Sequence, residues 1–259
     1  ELWTANPNGG GAKPIASGGI PLMGYSVSPY NHIQTTAFSW SPDSSGIAYI
    51  SDKNGSANIL VVSREGTESQ LTRYLDGDRT LYCPLWSSDG TKLAYSFQKK
   101  PTADAKRSLR GVTVVDTKTG EATDVYETET TFRLIGWTSD ENGLIIAETQ
   151  KSGGLPPETQ IKSVSATGGN VNEIVRLPNA YFYNIFLSKD RRNIAFAARN
   201  NDLDDIWIIP SAGGTPRKLT ANNDSGLGLS RLTWLNNGSA IIFGKQTRFS
   251  MLSLVTNIE

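Results

Sequence analysis

Few side chains in this chain are of types that catalysis draws on, and their spacing narrows the chemistry further. The single histidine, His32, excludes an HExxH motif and any multi-histidine metal site. The single cysteine, Cys83, excludes an internal disulfide and a multi-cysteine metal site, and beside Tyr82 it reads as a small buried apolar residue. No G-x-S-x-G turn occurs to present a nucleophilic serine. The triple glycine Gly9 to Gly11 lacks the lysine and following helix of a phosphate-binding loop and reads as a hairpin turn. Carboxylate and amide chemistry remains. Asp78, Asn184 and Asn223 stand near the starts of apolar runs, where a Ca²⁺-assisted hydrolase would take its ligands. Such residues are ordinary in loops, so the expectation is a non-catalytic chain with no metal site and no cofactor.

Charge and hydropathy exclude further classes. The 259 residues carry 25 Lys plus Arg against 25 Asp plus Glu. No net basic field is present to favour nucleic acid or an anionic membrane surface. No apolar run approaches the ~20 residues that span a bilayer, so no membrane insertion is expected. The chain opens directly on ELWTANPNGGG, which reads as the middle of a structural unit, and we expect it to be a monomeric domain of a larger protein.

The elements that would position any site come from an internal repeat. FSWSPDSSGIAYI at Phe38 returns as PLWSSDGTKLAYSF at Pro84, IGWTSDENGLIIAET at Ile135, IFLSKDRRNIAFAAR at Ile185 and LTWLNNGSAIIFGK at Leu232. The markers Trp40, Trp86, Trp137, Leu187 and Trp234 are 46, 51, 50 and 47 residues apart. Each copy is an apolar strand, a polar turn and a second strand. Pro42 presets the dihedral needed in that turn, and Ser41, Asp43 and Ser44 bond back to local backbone. A second unit alternates with it: a strand, a Gly-containing turn and a shorter strand often ending in Leu-Thr. It starts at Glu1, Asn58, Gly111, Gln160 and Asp205, and begins again at Ser250. All six tryptophans fall in these strands.

Two hairpins per period of about 47 residues make a four-stranded antiparallel unit, the size of a β-propeller blade. No stretch shows convincing helical periodicity. Such a sheet has two apolar faces, and stacking it between neighbours buries both, so the Trp positions are expected in the core between sheets. The fold class is therefore all-β, a propeller of four-stranded blades, six in number with five as the alternative count. The expected boundaries are residues 1–17 for a partial first blade, 36–75, 82–127, 132–177 and 182–221 for full blades, and 229–259 for an incomplete last one.

The pattern W-S-P-D-x-x-G-I-A-Y followed by I-L-V-V-x-x-x-G-x-x-x-x-L-T resembles the WD40-like (PD40) repeat of TolB-type propellers, and is also similar to the propellers of dipeptidyl-peptidase-like proteins. The first copy matches best. The fourth has Leu187 for Trp and Lys189 for Pro, and the fifth has Asn236 and Asn237 in place of Pro-Asp. The resemblance implies six blades and a bacterial setting, periplasmic or otherwise extracytoplasmic, with the cytoplasm as the alternative. It implies either a binding or sensor module for a protein, peptide or small ligand, or the propeller of a peptidase without its hydrolase domain. A Ca²⁺-dependent, lactonase-like propeller is the further alternative.

Up-and-down connectivity puts the tight turns on one face and the longer connections on the other. Those connections run over residues 18–35, 73–82, 98–110, 126–133, 150–158, 176–183 and 221–231. Long loops on a rigid scaffold are the usual place for recognition. Tyr30, His32, Arg79, Tyr82, Arg133, Tyr181, Tyr183 and Arg231 supply them with the large, hydrogen-bonding side chains typical of interfaces and are the candidate binding residues. Several immediately precede an innermost strand, where they would ring the mouth of a central channel. Lys99, Lys100, Lys106, Arg107 and Arg110 form a solvated basic loop, with an acidic partner as the alternative.

Overall fold

Short apolar runs punctuated by Gly, Pro and Asp fold into up-and-down antiparallel sheets in the computed structural model, which describes residues 1–17, 37–75, 77–101, 108–150, 158–176, 181–200, 203–235, 238 and 240–247. Sheet one holds β1 (Leu2–Thr4) and β2 (Lys13–Ala16). Sheet two holds β3 (Phe38–Trp40), β4 (Gly46–Ser51), β5 (Asn58–Ser63) and β6 (Glu68–Gln70). Sheet three holds β7 (Arg79–Trp86), β8 (Lys92–Lys99), β9 (Arg110–Asp116) and β10 (Ala122–Thr128). Sheet four holds β11 (Thr131–Trp137), β12 (Gly143–Gln150), β13 (Glu158–Ser165) and β14 (Val171–Arg176). Sheet five holds β15 (Tyr181–Leu187), β16 (Asn193–Asn200), β17 (Leu203–Pro210) and β18 (Arg217–Lys218), and sheet six holds β19 (Leu227–Trp234) and β20 (Ile241–Thr247). No helix occurs among the described residues, and so none long and apolar enough to cross a membrane.

The core lies between sheets. Ile47 and Tyr49 of β4 meet Leu2 and Ile15 of sheet one, while Ala48 and Ile50 of the same strand meet Leu81, Leu93 and Tyr95 of sheet three. This is the period-2 alternation of a strand buried on both faces. The pattern continues along the chain. Val112 and Val114 pack with Leu144 and Ile146, Ile145 and Ile161 with Ile194 and Phe196, and Ala197 and Ile206 with Leu229 and Leu232.

A directional contact accompanies the packing. The Trp86 indole N–H donates to the Ser39 carbonyl at 3.1 Å, Trp137 to Leu85 at 3.1 Å, and Trp234 to Phe186 at 3.3 Å. Each acceptor directly precedes the marker position of the previous repeat, so the same bond joins sheets three, four and six to the one before. Leu187 offers no donor, and its Cδ2 would lie 3.0 Å from a Cβ placed on Gly136. Burial of the marker positions is uneven: Trp137 is 2% exposed, whereas Trp40 is 45% exposed, with the Arg64 guanidinium 5.8 Å from its ring. Expecting Trp40 in the core is thus incorrect for the described residues, because the two strands of sheet one cover the β4 and β5 side chains and leave this ring half open.

The turns after the marker residues share one construction. Ser41, Ser87, Thr138 and Ser188 each donate a hydroxyl to the Asp two residues on, at 2.6, 2.7, 2.6 and 2.6 Å. Those aspartates accept backbone N–H bonds from Ser45, Thr91, Asn142 and Arg192. Ser44, Gly90, Glu141 and Arg191 take the left-handed conformation that closes each loop, with φ of 59°, 73°, 60° and 60°. The Leu-Thr endings have their own use. Thr72 and Thr220 accept the N–H of Ile59 and Ile206 and donate to Asn58 and Asp205, latching the short outermost strand to its neighbour.

Two expected outcomes follow from these contacts. Trp137→Phe should lower unfolding free energy in urea by about 1–2 kcal/mol, the loss of one hydrogen bond with a small void, while the same change at half-exposed Trp40 should cost well under half of that. The hydroxyl and backbone bonds to Asp43 and Asp89 hold both carboxyls at about 2. Because the folded-state pKa is depressed, their contribution is fully present above the free carboxyl value of 3.8 and is lost as pH falls through about 2. Carboxyl ¹³C titration should find midpoints near 2 in the native protein, moving toward 3.8 in Ser41→Ala and Ser87→Ala.

Candidate functional site

In sheets three to six the innermost strand carries an irregularity at one place in the repeat. Pairing shifts between Tyr82 and Leu85 in β7, Leu134 and Gly136 in β11, Tyr183 and Phe186 in β15, and Ser230 and Thr233 in β19. A bulge of this kind bends the strand and re-aims its side chains. Cys83 and Asn184, three residues before Trp86 and Leu187, sit at corresponding bulge positions with φ of 52° and 49°. Asn tolerates that conformation, whereas for Cys it carries strain.

Between these bulges lies a cavity of about 590 Å³. β7 contributes Tyr82, Cys83 and Leu85, β8 contributes Ser96, Phe97 and Gln98, and β9 contributes Arg110. Residues Thr131 to Ile135 of β11 and Asn184 to Leu187 of β15 complete the wall. Gln98, Arg110 and Thr131 lie at strand ends that join the longer connections, so this end of the cavity belongs to the long-connection face. The lining is largely aliphatic and aromatic with a few polar groups, the composition usual for small-molecule sites. Among the described residues its polar lining includes two arginines and no carboxylate. Asn184 is 2% exposed, and both its Oδ1 and its Nδ2 lack a hydrogen-bond partner among the described residues.

Nearby charges are arranged differently. The Arg79 guanidinium binds Asp124 through two 3.0 Å hydrogen bonds and lies 4.8 Å from the Tyr74 ring centre and 4.7 Å from that of Phe97. Burial works against the Asp124 carboxylate, but bonds from Arg79 and Thr113 outweigh it and hold the group below the usual range. Glu148, 3% exposed, accepts from Tyr126 at 3.0 Å, Thr128 at 2.8 Å and Lys162. Those donors likewise outweigh its burial and keep it ionised. Both networks are internally satisfied and belong to the scaffold.

The structure distributes the expected binding residues unevenly. Tyr82 and Arg133 line the cavity. Arg79 is committed to Asp124 and is absent from the lining. Tyr181, Tyr183 and Arg231 lie within β15 and β19, and Tyr30 and His32 fall outside the described residues. The expectation that such residues precede the innermost strands requires correction: Arg79, Tyr82, Arg133, Tyr181, Tyr183 and Arg231 are inside those strands, which start before the bulge rather than after it. Cys83 is partly exposed on the cavity wall rather than buried. The basic loop also divides, since Lys99 pairs with Glu127 at 2.5 Å and Arg110 faces the cavity. Of the three residues expected to offer Ca²⁺ ligands, Asp78 and Asn223 are exposed and Asn184 is buried. Among the described residues no group of three His, Cys, Asp or Glu side chains is placed to hold a metal ion. Phe132 and the cavity role of Asn184 were not recognised as binding features, although their offset from the marker positions is a signal that could have found them, and Arg110 was read only as part of the basic loop with an acidic partner as the alternative.

With this geometry in view, known proteins can be compared. The structure superposes on TolB from Acinetobacter baumannii with a TM-score of 0.52 and 18% identity, covering 95% of this chain and 56% of that one. The fold is that of a TolB-like β-propeller. An oligogalacturonate lyase in complex with manganese gives a TM-score of 0.60 at 19% identity, covering 82% of this chain and 58% of the lyase. Dipeptidyl peptidase 4 of Porphyromonas gingivalis gives 0.58 at 14% identity, over 85% of this chain and 35% of that one. In sequence, dipeptidyl-peptidase 5 of Porphyromonas gingivalis is 25% identical over 210 residues, 76% of this chain and 28% of that protein. This chain therefore spans little more than half the length of that TolB and that lyase, and far less of the peptidases'. No protein-family model matches it.

Arg79→Met should cost about 2 kcal/mol of unfolding free energy, the loss of a charged double hydrogen bond and a stacked guanidinium, measured by urea denaturation.

Proposed function

We propose that this chain is a non-catalytic binding module, and that its ligand enters the cavity between β7, β11 and β15 from the face of the longer connections. The observation that carries this reading is the cavity itself. Four innermost strands are bulged at one repeat position, and beside three of those bulges apolar walls enclose a few convergent polar groups, with a buried amide left without a protein partner. Catalysis would call for a nucleophile, a base or a metal set, and among the described residues the lining contains no carboxylate or histidine to serve as base or ligand. Recognition needs only shape and a few placed donors, which the lining supplies. We place the module on the extracytoplasmic side of a bacterial cell, in keeping with the repeat it resembles.

A second reading, the propeller of a peptidase, is favoured by the 25% identity to dipeptidyl-peptidase 5. Dipeptidyl-4-nitroanilide hydrolysis by the protein purified from its own cells distinguishes the two: an activity residing in the same polypeptide supports the peptidase, and its absence supports the binding module.

The direct test of the binding reading is a chemically mixed fragment library followed by backbone amide NMR. Hits should shift resonances of Tyr82, Arg133 and Phe186, and Tyr82→Ala with Arg133→Ala should weaken them at least about tenfold. Hits that map instead to the Asp43 and Asp89 turns, or that ignore the double substitution, would show that the wrong face was chosen.

A further inference from the structure

If the cavity is the binding site, as proposed above, its ligand meets the side-chain amide of Asn184. That residue lines the cavity, is 2% exposed, and has no hydrogen-bond partner for either Oδ1 or Nδ2 among the described residues. A buried donor and a buried acceptor left unmade each cost free energy, and a ligand that pairs with both recovers that cost. The left-handed backbone of the β15 bulge does not by itself call for an amide. Cys83, at the corresponding place in the β7 bulge, takes the same conformation without one, with φ of 52° against 49°. Arg110, on the same wall, already donates to the Ser108 and Glu129 carbonyl oxygens. Phe97, Phe132, Ile185 and Phe186 give the wall its hydrocarbon surface.

We infer that the cavity binds a neutral amide whose C=O and N–H lie on one edge, a primary carboxamide or a lactam, carried on an apolar body. The Asn184 Nδ2–H would donate to the ligand carbonyl oxygen while Oδ1 accepts the ligand N–H, closing a ring of two hydrogen bonds. Exchange of O and N in Asn184 leaves this pairing intact, because the ligand amide turns over to match. A carboxylate brings acceptors alone and sets one against Oδ1. An ammonium brings donors alone and sets one against Nδ2. An N,N-dialkylamide satisfies Nδ2 and leaves Oδ1 unmade, and a buried polar group left unpaired is what lets a site reject a near-isostere. The volume of about 590 Å³ suits one aromatic ring and a short chain beside the amide, with the phenylalanines covering the ring.

The test uses four probes that share one body, 4-phenylbutanamide, N,N-dimethyl-4-phenylbutanamide, 4-phenylbutyrate and 4-phenylbutylamine, titrated calorimetrically into the protein. The primary amide should bind at least about tenfold more tightly than each of the other three. It should also shift the side-chain NH₂ resonances of Asn184, which are assigned by their loss in Asn184→Gly. That substitution removes the amide and keeps the left-handed backbone accessible. It should weaken the primary amide at least about fivefold and bring the two amides within about twofold of each other, a collapse of preference that a merely structural role would not produce. The ranking of the four probes on the unaltered protein decides the matter even if the variant fails to fold. Equal affinity of the two amides, tighter binding of the carboxylate or the amine, an unmoved Asn184 NH₂ signal, or no binding of the primary amide up to about 10 mM would overturn the inference. Where the probes bind without that preference and still shift Tyr82 and Phe186, the amide inference falls and the cavity stands as the site. Where no probe binds and the fragment library also finds nothing at the cavity, both fall.

Discussion

A four-stranded up-and-down sheet has two apolar faces, and the need to bury both against neighbouring sheets is the constraint from which the rest of this structure follows. It explains why every core cluster draws from two successive sheets. It also explains why β4 alternates between two neighbours residue by residue. Apolar burial sets no register, however, since a sheet can slide on a greasy surface at little cost. The indole N–H bonds from Trp86, Trp137 and Trp234 to the preceding repeat supply that register, tying each marker to a single backbone oxygen. Large rings with one polar handle are suited to that task, because they contribute area and direction at once.

The strain that builds the cavity depends on this rigid stacking. Bulges in successive innermost strands turn side chains away from the regular alternation, and the left-handed Cys83 and Asn184 persist because the sheets around them are over-determined. A buried amide without a partner is tolerated in the same way. The scaffold satisfies its own charges thoroughly, as Arg79 with Asp124 and Glu148 with Tyr126, Thr128 and Lys162 show. At Asn184, beside the bulge of β15, unspent polar capacity lies where the repeat is least regular.

Much of the fold was legible because its units are local. Turn chemistry at Ser41-Pro42-Asp43 and the period-2 run of Ile47 to Ile50 are set within a dozen residues, and repetition confirmed them. The Leu-Thr endings were visible as a pattern, but their purpose was not, since the partners Asn58 and Asp205 stand some fifteen residues away. The site was less legible for a related reason. A bulge interrupts alternation, so the innermost strands were read as starting at Pro84, Ile135, Ile185 and Leu232, and the residues before them were assigned to loops. Tyr82 and Arg133 were selected for side-chain type and do line the cavity, whereas Arg79 was selected on the same ground and is held by a carboxylate on the far edge of its own sheet. Side-chain type alone could not separate those cases; position relative to the bulge does.

Leu187 is the marker position without an indole, and it stands at the joint between sheets four and five. There the turns themselves are coupled instead: Arg191 of sheet five pairs with Glu141 of sheet four, and Glu141 also accepts the Ser88 N–H of sheet three at 2.9 Å. A neutral hydrogen bond is nearly indifferent to dissolved salt, but an ion pair that keeps about a quarter of its side-chain surface in water is not. Among the joints described, this one is therefore sensitive to ionic strength, in the turn that follows the strand carrying Asn184.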